Sequence, residues 1–223
     1  MGAPVATGGY DDAREFWDQR YRAPEYIFGT EPNVFLASQE NRFKRGDRVL
    51  DVGCGEGRNS VWLARLGCDV TGLDVSPLAL DKARRLAAGQ GVAVQYVETN
   101  IRDWRWEPMR FDAVVCVFIQ FAEPEQRARL FDGFVTTLNA GGILVMQGYT
   151  PKQVEFRTGG PPRADHMYTA ELLRDAFAGM EILHLREHEE VLAEGIKHVG
   201  RSALIDLVAR QRSLPRYNGE PGR

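Results

Sequence analysis

The chain has 223 residues, 43% of them hydrophobic and 26% charged, and a formal net charge of −3. This length and apolar content predict one domain with a sizeable core. A slightly acidic chain without a run of lysines or arginines does not favour a broad nucleic-acid-binding surface, and no apolar run approaches the roughly 20 residues of a membrane span.

The ends of the chain and its cysteines indicate the domain limits and the compartment. Residues 1–10 are glycine-rich and expected to be disordered, the domain is expected over residues 11–210, and residues 211–223 form a polar tail. The start of the chain lacks the basic residues and apolar centre of a signal peptide. Three cysteines occur without metal-like spacing: Cys54, Cys68 and Cys116. We therefore expect a cytoplasmic protein that has no metal and does not contact a membrane.

Two helices are predicted before the first strand. Asp11–Arg20 carries apolar residues at helical spacing, with Asp11 or Asp12 as N-cap, and Val34–Phe43 is the second helix. Aromatic residues are frequent in this part of the chain. Three of them are interpreted either as the wall of a ligand pocket or as core packing: Trp17, Tyr21 and Tyr26.

The most informative stretch is a strand, a glycine-rich turn, a helix and a second strand. Residues 49–52 form a short apolar strand, and glycines follow it at alternate positions: Gly53, Gly55 and Gly57. Glycine has no Cβ and accepts positive φ, so such a turn passes close to a ligand. A helix from Arg58 to Gly67 and a strand over Val70–Leu73 come next, with Asp74 at the end of that strand. Ligands of open α/β sheets bind at this end of the strands.

The spacing of the glycines and acids indicates the ligand. A dinucleotide-binding turn has the pattern G-x-G-x-x-G, with an acid about 20 residues further on for the ribose. Asp74 fits that acid, but Arg58 stands where the third glycine would be. Asp51, before the first glycine, would repel a pyrophosphate and attract an ammonium group. S-adenosylmethionine (SAM) has a ribose, an amino group and no phosphate, and therefore fits; the alternative is a structural turn in a βαβ unit.

Downstream, strands and helices alternate as in an α/β sheet. Ser76 and Pro77 predict the N-cap and first residue of a helix, and Thr169 predicts another N-cap. Strands are predicted over residues 92–97, 111–118, 143–148, 181–192 and 197–209, with a helix over residues 125–138. The run 111–118 is almost entirely apolar, which is typical of a strand buried on both faces. The irregular segment 149–168 has the length of a functional loop.

Residues 49–76, VLDVGCGEGRNSVWLARLGCDVTGLDVS, resemble motif I and the next strand of class I SAM-dependent methyltransferases. The GRNSVWLARLG part is most similar to the tellurite-resistance (TehB-like) methyltransferases, with thiopurine-type small-molecule enzymes nearby. The resemblance extends from Phe16 to Arg210. It implies a single-domain, Rossmann-like α/β fold: a seven-stranded, mostly parallel sheet with an antiparallel last strand and helices on both faces. It also implies that residues 11–45 form a helical lid and residues 149–168 a substrate loop.

The resemblance implies a site for SAM and its product S-adenosylhomocysteine (SAH). Its members in this chain are Asp51, Gly53, Gly55, Gly57, Arg58, Asp74, Val75, Asn100, Ile101 and Phe118. Asp51 would face the methionine amino group, Asp74 the two ribose hydroxyls, and Arg58 the methionine carboxylate, with Phe118 beside the methionine part.

The adenine-binding part of this site departs from the family pattern at one position. Asn100 stands where the family usually has Asp, and its side-chain carbonyl can still accept a hydrogen bond from the adenine amino group. Val75 would pack on the adenine ring, and the backbone N–H of Ile101 would reach adenine N1.

The acceptor side of the site is less defined. Gln120 stands where relatives often have His, which favours an acceptor that needs no proton removal, such as a thiolate or a selenium or tellurium compound. The catalytic candidates are Gln120, Tyr149 and His166, and the pocket candidates are Trp17, Tyr21, Tyr26, Arg157 and Tyr168. Arg157 is interpreted either as a cation that attracts an anionic substrate or as a surface arginine. His198 is the other histidine of interest, although both it and His166 are more typical of structural positions. His184 and His188 are predicted on the solvent face of a strand.

Four functions are compatible with these features. The favoured one is methyl transfer from SAM to a small soft nucleophile, by a monomer or homodimer without nucleic-acid partners. The others are SAM-dependent methylation of another small molecule (N or O acceptor) or of a macromolecule, an NAD-dependent oxidoreductase, and a SAM-binding sensor. A methyltransferase needs a second cavity that faces the sulfur, whereas a sensor does not.

Overall fold

The computed structural model describes residues 13–212. The predicted disordered start, the N-cap at Asp11 or Asp12, and the polar tail beyond residue 212 lie outside the described residues.

Seven strands form one sheet in the order β3-β2-β1-β4-β5-β7-β6. Their bounds are β1 Arg48–Val52, β2 Asp69–Asp74, β3 Gln95–Glu98, β4 Phe111–Val117, β5 Leu138–Tyr149, β6 Glu181–Glu194 and β7 His198–Arg210. The first five strands are parallel, and β7 is antiparallel to both β5 and β6. The predicted fold class, with its antiparallel last strand, is confirmed.

Helices cover both faces of the sheet. They are α1 Ala13–Tyr21, α2 Val34–Ser38, α3 Arg58–Arg65, α4 Pro77–Gly89, α5 Pro124–Thr137, α6 Gln153–Phe156 and α7 Ala170–Ala176. Alternate residues of β4 belong to different cores: Val114 packs in the larger cluster with Phe131 of α5, and Val115 in the second cluster with Leu63 of α3. The nearly continuous apolar run of this strand therefore reflects burial on both faces.

Local signals in the sequence begin and end several of these elements. The Ser76 hydroxyl accepts a hydrogen bond from Ala79 N at 3.2 Å and caps α4, and Thr169 caps α7 through Leu172 N at 3.1 Å. Gly67, at φ +92°, follows the end of α3. These predicted caps and this predicted stop are confirmed.

Three predicted boundaries were wrong. β3 begins at Gln95 rather than Val92, because Val92 N still bonds to Ala87 O at the end of α4. β5 begins at Leu138, directly after α5, rather than at Ile143. The predicted helix 34–43 is divided into α2 and a 3₁₀ turn over Glu40–Arg42.

The β6–β7 hairpin extends well beyond the sheet. β5 pairs with β7 only as far as Tyr149 and Leu204, whereas β6 and β7 stay paired as far as Glu194 and His198. We call residues 194–198 the hairpin tip. The tip docks on the loop after α1, where Ile196 N and Lys197 N donate to Ile27 O at 2.9 and 3.1 Å.

The histidines of β6 are not on a solvent face, so that prediction was wrong. His184 is half-buried with its ring 5.7 Å from that of Phe35, and His188 Nε2 lies 2.8 Å from Asp206 Oδ2. The segment that precedes β1 covers this side of the hairpin.

None of the helices within residues 13–212 is both long and apolar enough to cross a membrane.

Candidate functional site

The turn after β1 is held in shape by the acid at the end of β2. Gly53 and Gly55 adopt φ values of +67° and +53°, which L side chains rarely adopt. Asp74 Oδ2 accepts a hydrogen bond from Gly55 N at 2.8 Å, and Oδ1 accepts one from Ser76 N at 2.9 Å. An ionised carboxylate has about four acceptor sites, so both Asp74 oxygens keep capacity for a ligand.

Two buried acids lie at the ends of β1 and β2. Asp51 is 1% exposed and accepts a hydrogen bond from Ser60 Oγ at 2.5 Å, and Asp74 is 8% exposed. Burial raises the pKa of each carboxyl to about 6, against hydrogen bonds that lower it. A cationic ligand would stabilise the ionised form of both groups.

A cleft opens above this turn, and we call it the glycine-loop cleft. Eight of the ten predicted cofactor residues line it: Gly53, Gly55, Arg58, Asp74, Val75, Asn100, Ile101 and Phe118. Asp51 lies buried beneath the turn, and Gly57 packs inward, where a Cβ would come within 2.7 Å of Ala83 Cβ. Most of the residues predicted from the sequence therefore lie around one cleft.

The aromatic side chains of α1 cover the cleft. Trp17 and Tyr21 stack at 5.7 Å and both line it, and a Cβ at Gly55 would come within 2.9 Å of the Tyr21 hydroxyl oxygen. The free volume is about 90 Å³, below the roughly 300 Å³ of the smallest common ligand pockets. A nucleoside ligand therefore requires these side chains to move aside.

Arg58 is already paired within the chain. Its Nη2 lies 2.8 Å from Glu194 Oε2 in the hairpin tip, and its Nη1 donates to Phe28 O at 3.1 Å. Both side chains of the ion pair are less than 10% exposed. Burial opposes ionisation of Glu194, but contact with His198 and the charge of Arg58 outweigh it and lower its pKa to about 2.

The adenine side of the cleft is also partly engaged. Asn100 Oδ1 accepts a hydrogen bond from Arg102 N at 3.1 Å, and Asn100 also lines the cleft. Ile101 is 5% exposed. Asn100 therefore organises its own turn as well as lining the cleft.

A second, larger cavity of about 600 Å³ adjoins the cleft, and we call it the large cavity. Its walls include α1, the segment 153–166 and the hairpin tip. Five side chains line both spaces: Trp17, Phe28, Phe118, Phe121 and His198. The two spaces therefore meet at one aromatic boundary.

Phe118 and His198 form the centre of this boundary. Phe118 adopts φ +57°, which costs about 1–3 kcal/mol for a non-glycine residue and marks functional positions. Its ring stacks on Tyr149 at 4.7 Å and meets the His198 ring at 4.5 Å. His198 Nδ1 is buried 3.6 Å from Glu194 Oε2. Burial lowers the pKa of His198 below its usual value, although Glu194 opposes this, so the ring is neutral at pH 7.

All three predicted catalytic candidates are buried, and Gln120 is also held by hydrogen bonds to the backbone. The Gln120 amide bonds to Tyr149 at both ends: Nε2 donates to its O at 2.7 Å, and Oε1 accepts from its N at 2.5 Å. The Tyr149 side chain is 1% exposed, and its hydroxyl has no hydrogen-bond partner within residues 13–212. Gln120 thus fixes the end of β5, and Tyr149 presents an unpaired polar atom.

His166 lies at the far side of the large cavity. Neither ring nitrogen is hydrogen-bonded in the described part of the chain, although Nε2 lies 3.4 Å from Glu123 Oε2. With Asp165, these residues could hold a metal ion, which the sequence did not indicate. Arg163 already bonds both carboxylates, at 2.7 and 2.6 Å, so the group reads as an ion-pair cluster.

The predicted pocket residues divide between the cavities and the core. Trp17 and Arg157 line the large cavity, and Tyr21 lines only the glycine-loop cleft. Tyr26 lines neither: its hydroxyl donates to Lys82 O at 3.0 Å. Tyr168 is 2% exposed and packs on Phe131 in the core. Tyr26, which is half-buried and bonded to α4, and Tyr168, which packs in the core, therefore line neither of the two spaces.

Sequence reasoning did not identify the hairpin tip as part of the site. Glu194 and His198 reach Arg58 and Phe118 only because β6 and β7 extend past the sheet. The one available signal was a pair of long strands with a histidine and an acid beside their turn.

Comparison with known families identifies the region around the glycine loop. Residues 49–142 match a family model described as a methyltransferase domain. Ubiquinone biosynthesis O-methyltransferase of Proteus mirabilis (strain HI4320) is 41% identical over 73 residues, 32% of this chain and 30% of the relative. The enzyme of the same name from Xanthomonas euvesicatoria pv. vesicatoria (strain 85-10) is 37% identical over 102 residues, 45% of this chain and 42% of the relative. The chain thus spans less than half the length of these curated relatives.

Solved structures share the fold over most of the chain. TehB from Haemophilus influenzae aligns with a TM-score of 0.67 and 18% identity, over 91% of this chain and 67% of that one. N-methyltransferase NodS from Bradyrhizobium japonicum WM9, in complex with SAH, aligns with a TM-score of 0.66 and 15% identity, over 90% of this chain and 99% of that one. A third structure is described for the conversion of a disulfide bond into a thioacetal group during echinomycin biosynthesis. It aligns with a TM-score of 0.72 and 22% identity, over 92% of this chain and 93% of that one.

Identities this low show the fold and not the reaction. The likeness to TehB predicted from motif I is therefore supported at the level of the fold. The matched segment lies inside that fold, with the glycine loop and its two acids within it. Residues 49–142 thus match a methyltransferase domain, and the flanking strands and helices complete a fold that solved methyltransferases share.

Proposed function

We propose that this protein transfers a methyl group from SAM to a small molecule bound in the large cavity. The observation that carries the proposal is the pair of adjoining spaces that meet at Phe118 and His198. A sensor needs only the glycine-loop cleft. A methyltransferase needs both, with a shared boundary across which the methyl group passes.

The residues of the glycine-loop cleft fit SAM. Asp74 keeps acceptor capacity for two ribose hydroxyls, and Asp51 supplies negative charge beneath the turn. Gly55 leaves space that a Cβ would fill beside Tyr21. Arg58 is paired with Glu194, so it would reach the methionine carboxylate with its remaining N–H groups. When bound, SAM supplies an electrophilic methyl group on a positively charged sulfur.

His198 gives the acceptor side a base that the sequence did not reveal. Its Nδ1 faces Glu194, and the ring lines the large cavity, so Nε2 is the nitrogen left to receive a proton from an acceptor hydroxyl or thiol. Glu194 orients the ring and stabilises the imidazolium that forms. Catalysis otherwise rests on positioning and on exclusion of water by the aromatic boundary.

The acceptor atom follows from this arrangement. A thiol, selenium or tellurium compound needs little help from a base, and loss of the usual histidine at Gln120 favours such acceptors. The position of His198 and the relatives named O-methyltransferases support a hydroxyl acceptor as a second candidate. Both candidates are small molecules, because a volume of about 600 Å³ lies in the range of small-ligand pockets.

A methyl-donor consumption screen tests the proposal. Purified protein is incubated with SAM and panels of thiols, phenols, selenite, tellurite and amines, and SAH formation is measured. We expect SAH above background with a thiol or hydroxyl panel. The matched control is Asp74→Ala, which should remove all turnover. SAH formation by no panel, with SAM bound tightly, would instead identify a sensor.

A further inference from the structure

The geometry points to an anionic aromatic acid as the molecule that occupies the large cavity. This inference rests on the proposed function and names the chemical class of its acceptor. Two kinds of side chain line the cavity, cations and aromatic rings.

The charged lining is of one sign. Four cationic side chains line the large cavity, and no Asp or Glu among the described residues does: Arg20, Arg157, Arg163 and Lys197. The chain as a whole has more acids than bases, 31 against 28, so this local excess of positive charge is not a reflection of composition. A cavity with cations and low-dielectric aromatic walls concentrates anions.

Two of these cations are available to a ligand. Arg163 is bonded to Glu123 and Asp165, and the Arg20 guanidinium stacks 3.5 Å above the Phe16 ring. Within residues 13–212, the guanidinium of Arg157 and the ammonium of Lys197 have no hydrogen-bond or ion-pair partner. They approach the cavity from different elements, the end of α6 and the hairpin tip.

The backbone at Arg157 supports a functional placement. Arg157 has φ +55° and ends α6 in the left-handed region, where glycine or asparagine is usual. An arginine there bears strain of about 1 kcal/mol or more. Strained positions of this kind persist where the side chain is needed, and here the side chain lines the large cavity.

Buried polar atoms of the lining also lack partners. The Tyr149 hydroxyl and both ring nitrogens of His166 are buried without a hydrogen bond in the part of the chain that the structure describes. Such atoms are rare in native structures and indicate a missing partner.

The apolar lining of the large cavity favours a planar aromatic ligand. Six aromatic rings and two prolines face the cavity: Phe16, Trp17, Phe28, Phe118, Phe121, Tyr149, Pro161 and Pro162. About 600 Å³ accommodates a molecule of one or two rings. With its acid group at Arg157 and Lys197, such a molecule would direct its other end toward Phe118 and His198, where methyl transfer takes place.

Matched probes test charge separately from shape. Binding of 2-naphthoate, of its neutral isostere 2-naphthamide, and of acetate is measured on the full-length protein saturated with SAH, by calorimetry and by tryptophan fluorescence. We expect 2-naphthoate to bind at least tenfold more tightly than 2-naphthamide, and acetate not to compete with it.

Variants assign the preference to the two cations. Arg157→Gln with Lys197→Gln should reduce the preference for 2-naphthoate to less than about twofold, whereas Arg129→Gln, an exposed cation outside the cavity, should retain it. Equal binding of the two naphthyl probes, no binding of either at about 10 mM, competition by acetate, or a preference that survives the double variant would each overturn the inference. A separate titration of the unsaturated protein with SAH reports on the proposed function independently of the acid probes.

Discussion

At the scale of single residues, the two buried acids are the most informative. Asp51 and Asp74 have pKa values of about 6 because burial disfavours their charged form. A folded-state pKa above the unfolded value means that the ionised group destabilises the fold above pH 6, and that this effect disappears below about pH 4. Because burial of the ionised carboxylates lowers the stability of the free protein, we infer that the two acids serve to bind a ligand.

Asp51→Asn separates stability from binding. Asparagine keeps an acceptor for Ser60 Oγ and removes the buried charge. We expect the free energy of unfolding at pH 7.5 to rise by roughly 1–3 kcal/mol, from a pKa shift of about two units at 1.4 kcal/mol each, while SAM affinity falls. Urea denaturation and calorimetry measure the two effects. Asp132→Asn, an exposed acid on α5, should change neither; a destabilised Asp51→Asn would contradict the assignment.

The affinity for SAM should depend on pH through the same groups. A cationic ligand lowers the pKa of Asp51 and Asp74, so binding releases protons where these carboxyls are partly protonated. Among the neighbouring charges, Asp18 raises the pKa of Asp74 and Arg58 lowers the pKa of Asp51. We expect affinity to rise between pH 5 and 7 and to level off above 7, with proton release measured by calorimetry in two buffers. Affinity that is constant over this range would count against both roles.

His198 makes a third prediction at this scale. Because burial keeps its pKa below the usual value, turnover of a hydroxyl acceptor should be flat near neutral pH and fall only in acid. His198→Gln should lower kcat for such an acceptor by about 10²–10⁴-fold, and much less for an ionised thiolate. Rate–pH profiles with both acceptors check this. Equal losses for the two would mean that His198 positions the acceptor and does not take a proton.

At the scale of elements, the hairpin tip holds the site together. Glu194 bonds Arg58 of α3 and Asn33 of the α2 N-cap, and the tip backbone bonds the loop after α1. Asn33 also donates to Gln147 on β5 at 2.7 Å. One buried polar network thus joins the hairpin, the N-terminal segment and the glycine loop.

Glu194→Gln tests this network. It leaves the buried Arg58 charge without its partner, and removal of one member of a buried pair typically destabilises by about 3–5 kcal/mol. We expect a loss near the lower end of that range in urea denaturation, since Gln still accepts hydrogen bonds. Glu190→Gln, exposed on the same hairpin, is the control and should be neutral within about 0.5 kcal/mol. A neutral Glu194→Gln would show that the tip docks without the ion pair.

Local signals and long-range contacts differ in how well the sequence predicts them. Ser76, Thr169 and Gly67 set helix ends through their own chemistry, so these were predictable. The acceptor side is built from three elements: α1, the segment after β5 and the hairpin tip. No local sequence pattern shows that Arg58 contacts Glu194. The base at His198 was missed for that reason.

At the scale of the whole molecule, the alternation of strands and helices predicted an α/β sheet. The resemblance of motif I to class I SAM-dependent methyltransferases then implied seven strands with an antiparallel last strand. Eight of ten predicted cofactor residues line one cleft because parallel strands bring their carboxyl ends to a common edge. The large cavity was not predictable, since its volume depends on how three separate segments pack around it.

The central claim is that the glycine-loop cleft binds a cationic nucleoside without phosphate. Isothermal titration of the full-length protein with SAM, SAH and NAD tests it most directly. We predict one site per chain with micromolar affinity for SAM and SAH and no measurable binding of NAD, and loss of binding in Asp74→Ala with an unchanged circular dichroism spectrum. Tighter binding of NAD than of SAM, or full affinity in Asp74→Ala, would contradict it.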